Sequence, residues 1–217
     1  MRLPLALAAP IAALCVLPAL AHPHVFVDAT ATPQFDAAGR LVALRIDWAY
    51  DEFYSLALMA EYRLDGNGDG TPDPDRLRAF AGKDVDWPAG FPGDLTVTQN
   101  GQPVVLGPVR DHAAAWKDGR IIASHTRPLP TLNAANPVSI RVYDPEYFVA
   151  YDVPRDPVPQ CRKDCIVTRE RPDKGQHSEL LAALSELDMQ ADSLTVMSMA
   201  DVGITFADTF VLTCPAR

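Results

Sequence analysis

The chain is expected to fold as an α+β, mainly β domain: a β-sandwich-like body with an EF-hand-like helix–loop–helix insertion and one helix in its C-terminal half. Three observations predict it. Short strand-like stretches separated by turn residues dominate from residue 94 onward. Two of them fold back over Asn100-Gly101 and Asp118-Gly119, dipeptides suited to the positive-φ positions of two-residue hairpins. Helical periodicity is confined to two regions, residues 51–82 and 178–188. A fold rich in short strands with few helices buries its apolar faces most readily as packed sheets.

Residues 1–21 have the pattern of an export signal. Arg2 supplies a positive start, Leu3 to Leu17 is apolar, and Ala19-Leu20-Ala21 matches a small-x-small cleavage site. The apolar run is short and broken by prolines, unlike a membrane anchor of roughly 20 residues. The mature chain is therefore expected to begin at His22, to be periplasmic and to have no membrane span after cleavage. It would be one mostly-β domain over 22–217, 196 residues (217 minus 21), with the insertion at about 51–83.

The elements follow in order. Residues 24–35 read as a strand, 36–39 as a turn and 40–50 as a returning strand. Residues 51–64 carry a helical apolar stripe at Phe53, Leu56, Ala57, Ala60 and Leu64, and 73–82 form a second short helix closed by Gly82. Residues 94–107 and 111–125 are the two hairpins. "PVSIRVYD" and "YFVAYDV" add strands, and 154–164 is a proline-rich connection. "CIVTRER" reads as a strand, "SELLAALSELD" as a helix capped by Ser178, and "GITFADTFVLTC" as the closing strand.

The formal charge is −9 and becomes −10 without the leader, since Lys+Arg falls from 19 to 18 against 28 Asp+Glu. That argues against nucleic acid and anionic membrane surfaces, and suits attraction of cations. Three cysteines follow the leader: Cys161, Cys165 and Cys214. An oxidising compartment implies one disulfide and one free thiol, with Cys161 or Cys165 bridging to Cys214. A thiolate metal site is the alternative.

"DGNGDGTPDPDR", residues 65–76, matches the first half of an EF-hand loop. Asp65, Asn67 and Asp69 offer oxygens at alternating positions, Gly70 permits the sharp turn, the Thr71 carbonyl comes next, and Asp73 binds directly or through water. The twelfth position departs from the pattern: Arg76 stands where a bidentate glutamate belongs. The residues therefore allow either a weak calcium site or a purely structural Gly/Asp-rich loop.

The second constellation is the histidines. His22 combines a terminal amine with an imidazole, a chelate suited to copper, nickel or zinc. Pro23 has no N–H, so a planar chelate running through the second amide to His24 is blocked. Counting outward from Asp118-Gly119 sets Lys117 against Arg120, Trp116 against Ile121 and His112 against His125, with opposed Cβ atoms roughly 5 Å apart. Two imidazoles there could share an ion; equally, they could be buried core residues. His24 and Asp28 share one face of the first strand, and His177 belongs to the exposed start of a helix. Asp51 and Glu52 are either an acid–base pair or first-turn acids that complement a helix dipole. "YDPEYFVAYD" is more simply packing. No G-x-S-x-G elbow, P-loop or dinucleotide fingerprint is present.

"HPHVFVDA", "LRIDWAYDEFYS", "YDPEYFVAYDV" and "FADTFVLTC" together resemble the DUF1007 family, exported bacterial proteins of unknown function often encoded beside permeases of the nickel/cobalt type. The resemblance implies a periplasmic accessory to transition-metal transport, with an inner-membrane metal permease as partner, and it extends the family pattern to His22, Pro23, His24, Trp48, Asp51 and Glu52.

The leading expectation is thus reversible binding of nickel, cobalt or zinc by His22 and His24, with His112, His125 or a carboxylate completing the shell. Protonation below the usual imidazole pKa of roughly 6.5 would release the ion. The alternatives are a calcium-stabilised interaction module and an N-terminal histidine-brace copper enzyme.

Overall fold

The computed structural model describes residues 23–173, 175, 177–180, 182 and 201–216. The expected leader, His22 and most of the 178–188 helix lie outside these residues. The described strands form two sheets of five, and the mainly β expectation holds. The first sheet contains β1 (Val25–Phe35), β2 (Leu41–Tyr50), β5 (Arg110–Lys117), β6 (Arg120–Leu132) and β8 (Val149–Asp152), ordered β5-β6-β2-β1-β8. The second contains β3 (Leu95–Gln99), β4 (Gln102–Pro103), β7 (Val138–Val142), β9 (Ile166–Glu170) and β10 (Thr209–Thr213), ordered β4-β3-β7-β10-β9. The pairings are antiparallel except β1 with β8, which runs parallel.

Strand periodicity explains the core. Val25, Val27, Ala29 and Ala31 of β1 are buried alternately, as are Ile46, Trp48 and Tyr50 of β2 and Ile121, Ala123 and His125 of β6. All but His125 share one hydrophobic cluster with Leu95, Val97, Val138, Ile140, Val142, Phe210 and Leu212 of the other sheet. Both hairpin tips adopt the conformations their sequences favour: Asn100, Gly101, Asp118 and Gly119 have φ of 54°, 74°, 51° and 78°.

Helix α1 (Glu52–Glu61) follows β2 directly, and α2 (Pro74–Phe80) ends the insertion. The apolar stripe expected on α1 is displaced. Phe53 and Leu56 are 84% and 56% exposed, Ala57 and Ala60 are also exposed, and the buried residues are Ser55, Leu58 and Met59. Capping sets this phase. Asp51 accepts the Tyr54 N–H on Oδ1 (2.8 Å) and the Phe26 N–H on Oδ2 (3.0 Å), so the helix start is locked to β1. Ser55 then faces β6, where its Oγ accepts the Ile121 N–H at 2.9 Å. Asp51 is thus an N-cap and Glu52 an exposed first-turn acid, in line with the dipole reading of the pair.

The C-terminal half brings two corrections. Residues 202–206 form a 3-10 turn, so the closing strand is only β10. Helical residues begin by 175, ahead of Ser178, and the capping contact comes from Asp173, whose Oδ1 accepts the Gly175 N–H at 2.8 Å. The disulfide joins Cys165 to Cys214, leaving Cys161 exposed and free. Arg162, between the turn's cysteines, is buried and donates to the carbonyls of Gly39 and Pro215, both at 2.8 Å. Bridge and guanidinium together tie the chain end to the sandwich. Among the described residues no helix is long and apolar enough to cross a membrane.

Ser55→Ala would strand the Ile121 N–H in the interior, at a cost of about 1–3 kcal/mol. Urea unfolding of the variant should show that loss; an unchanged midpoint would mean that α1 is not held by this bond.

Candidate functional site

The counted register of the second hairpin holds from Lys117↔Arg120 to Ala113↔Ser124, then slips: the next pair is Arg110↔Thr126. Two residues, Asp111 and His112, therefore oppose His125, and Asp111 takes φ 56°. This is a β-bulge, which simple counting could not foresee. It leaves the two imidazoles neighbours by way of a third ring. Trp87, in the 3-10 turn Trp87–Ala89 after α2, lies 5.6 Å from the His112 centroid and 4.9 Å from that of His125. Gly82 makes room for His112, since a Cβ at that position would meet its Cγ at 2.7 Å.

His125 is 1% exposed and makes edge contacts with Trp48 (4.6 Å) as well as Trp87. Burial above all, then the Arg127 charge, pushes its pKa down to about 3. Among the described residues its Nε2 has no hydrogen-bond partner, and neither do the buried Nε1 atoms of Trp48 and Trp87 or Nε of Arg127. Four such atoms on neighbouring side chains are more than a packed interior usually leaves without a partner, which makes this cluster the candidate site. Because His125 stays neutral well below pH 7, acid release of a ligand between about pH 7 and 5 does not extend to it.

Among the described residues, the structure does not bring His24 to His112 and His125. His24, directly ahead of β1, is exposed, its backbone N–H donating to the Phe148 carbonyl (2.9 Å) and its ring 4.6 Å from Phe148. His125 lies on the inner face of β6, with β2 between the two strands. Strand alternation thus points these imidazoles to opposite faces. Asp28 pairs with Arg120, and His177 packs edge-on against Phe206 at 4.2 Å. Among the described residues no group of three or more His, Cys, Asp or Glu is arranged to hold a metal ion. His112 and His125 would supply two donors of a tetrahedral shell that needs four.

In the 65–76 loop the carboxylates serve the backbone. Asp65 accepts the N–H groups of Gly68, Asp69 and Gly70, Asp69 accepts the N–H and hydroxyl of Thr71, and Asn67 accepts the Asp69 N–H. Gly70 has φ 85°, the left-handed turn its position requires. Arg76 brings Nε within 2.9 Å of Asp73 and donates to the Arg63 carbonyl, so a protein cation closes the loop.

Next to the aromatic cluster, a cleft of about 450 Å³ opens between the end of β1 and the loops around residues 91–94 and 144–148. Sequence reasoning missed its central residue. Asp94 is 6% exposed and accepts the Tyr151 hydroxyl on Oδ2 at 2.8 Å. Burial first, then the charges of Asp144 and Glu146, raise its pKa to about 7 despite that hydrogen bond. Tyr50 and Asp84 form a second such pair at 2.8 Å, and burial raises the pKa of both. The one available hint was composition: "DWPAGFPGD" (86–94) sets aromatics, turn residues and an acid just before a strand.

The family model described as a protein of unknown function (DUF1007) matches residues 7–214, nearly the whole chain. No curated protein and no solved structure matches.

Opposite protonation shifts give a pH signature. Between about pH 4 and 6.5 the folded state holds a proton on Asp94 that the unfolded chain has lost, so this group's contribution falls as pH rises. Over much the same window the unfolded chain holds a proton on His125 that the fold excludes, so that contribution rises with pH. The two offset each other. Asp94→Asn removes only the first, and its stability relative to the wild type should climb with pH by up to about 1.4 kcal/mol per unit. Urea midpoints across that window read the slope; a difference that stays constant with pH would contradict the buried Asp94 described here.

Proposed function

We propose that this chain, which belongs to the DUF1007 family of proteins of unknown function, is an exported accessory protein that binds and passes on a divalent transition-metal ion. Nickel, cobalt and zinc are the candidates, and an inner-membrane metal permease is the proposed partner. The observation that carries this reading is the His125 imidazole, kept neutral by burial, with an Nε2 that has no partner among the described residues, beside a second imidazole at His112. Neutral imidazole nitrogen is the donor that these borderline ions prefer.

Two donors and a nearby guanidinium make a weak site, and the magnitudes allow it to work. Arg127 opposes an incoming cation by about 1–4 kcal/mol at close range, depending on local screening. That tempers ligation by two imidazoles and leaves coordination positions open. Such a half-built shell suits transient capture better than permanent storage. His24, exposed directly ahead of β1, would serve a separate first contact, with the His22 amine and imidazole as its proposed co-ligands. Nothing in the arrangement of Asp51 and Glu52, which cap and open α1, recommends a hydrolytic role.

Calorimetric titration of the exported protein with nickel, cobalt and zinc tests this. One ion should bind per chain at the His112–His125 pair, and His112→Ala should weaken it by at least about tenfold. His112 is exposed, so its replacement leaves the core filled, and His125→Gln is the second variant. If the wild type takes up no ion, or if the His112 variant binds as tightly, the His112–His125 pair is not a metal site.

A further inference from the structure

The cleft beside the aromatic cluster has a chemical character of its own, separate from the histidines. Its lining includes three carboxylates, Asp94, Asp144 and Glu146, and no lysine, arginine or histidine. Among the described residues no ion pair involves any of the three. Asp144 is fixed in place, with its two oxygens accepting the Glu146 N–H (3.0 Å) and the Val149 N–H (2.9 Å). Glu146 is exposed at the rim. Asp94 lies at the back, 94% buried by the complement of its 6% exposure, and offers one oxygen to Tyr151. Its other oxygen, Oδ1, has no hydrogen-bond partner among the described residues.

The remaining lining is largely apolar and aromatic. Tyr54, Phe91 and Phe148 contribute ring surface, and Phe148 is 46% exposed although it borders a concave site. Carboxylates attract a cation, and ring faces stabilise an organic cation further while covering its carbon skeleton. A bare hard metal ion would gain little from the rings and would meet too few converging oxygens. An anion would be repelled by the charges of Asp144 and Glu146 at the cleft. The volume of about 450 Å³ lies in the lower range of small-molecule pockets.

We propose that this cleft binds a small organic ammonium ion, with its nitrogen set against Asp94 and Glu146 and its carbon skeleton against Tyr54, Phe91 and Phe148. Binding is reversible: the cation pairs through Oδ1 with Asp94 in its carboxylate form, the proton that burial favours there passing to solvent, while Glu146 adds charge at the mouth. The site does not use His112 or His125, so it stands or falls independently of the metal reading.

The test is calorimetry on the whole protein, with a chelator present throughout so that metal plays no part. n-Butylammonium is the probe, 1-butanol the neutral comparison, butyrate the anion, and magnesium the bare cation. Saturable binding of butylammonium alone is the expected result, weakened at least about tenfold by Asp94→Asn and several-fold by Glu146→Gln. Unaltered binding in His112→Ala would locate the ligand in this cleft. Should Asp94→Asn fail to fold, the exposed Glu146→Gln variant decides by itself. No heat with butylammonium up to ~10 mM, the upper range of weak affinity, would overturn the proposal. So would equal binding of butanol, or affinity unchanged in Glu146→Gln.

Discussion

An imidazole wedged between indole rings, with one nitrogen left unbonded, is the constraint on which the rest of this structure turns. Placing a polar ring in the interior without a compensating hydrogen bond costs on the order of 1–3 kcal/mol. His125 lowers the cost by staying neutral and by edge contacts with Trp48 and Trp87. Those contacts require Trp48 on the inner face of β2 and require the segment after α2 to fold back so that Trp87 covers the cluster. The insertion is therefore more than an ornament on the sandwich: its return closes one end of the core. Gly82, which leaves space for His112, and the bulge at Asp111 belong to the same arrangement.

The charges around this cluster are sorted. Arg127 lies on the histidine side, and Asp94, Asp144 and Glu146 line the neighbouring cleft. Gly93 connects the two sides: its absent Cβ would sit 3.2 Å from both the Arg127 guanidinium and the Trp87 ring, and Asp94 follows it directly. Burial raises the pKa of the carboxyl and lowers that of the imidazole, and each change favours the uncharged form. Two ionisable groups close to the core are thus accommodated without a salt bridge between them.

Much of the framework was legible in the residues. Alternation marked β1 and β2, and Asn100-Gly101 and Asp118-Gly119 located two hairpin tips, since these dipeptides tolerate positive φ at both positions. The Gly/Asp-rich loop also folds as its spacing implies, but Arg76 closes it onto Asp73. The misses share one cause: long-range contacts outweighed local pattern. Apolar spacing placed Phe53 and Leu56 inside, but the double cap at Asp51 rotates α1 so that Ser55 meets β6. The His112–His125 neighbourhood was foreseen, whereas the bulge behind it was not. Asp94 and Trp87 were overlooked because neither sits in a spacing motif; they gain meaning only when the loop from 86 to 94 closes over the sheet.

The account depends most on the state of one ring. Nitrogen-15 spectra of the histidine side chains, followed as the folded protein is acidified, read it directly. His125 should remain neutral down to about pH 3 or until the fold is lost. A ring in its place that gains its proton near the ordinary value of roughly 6.5 would mean that water reaches it freely, and neither the sealed cluster nor the functional reading built on it could stand.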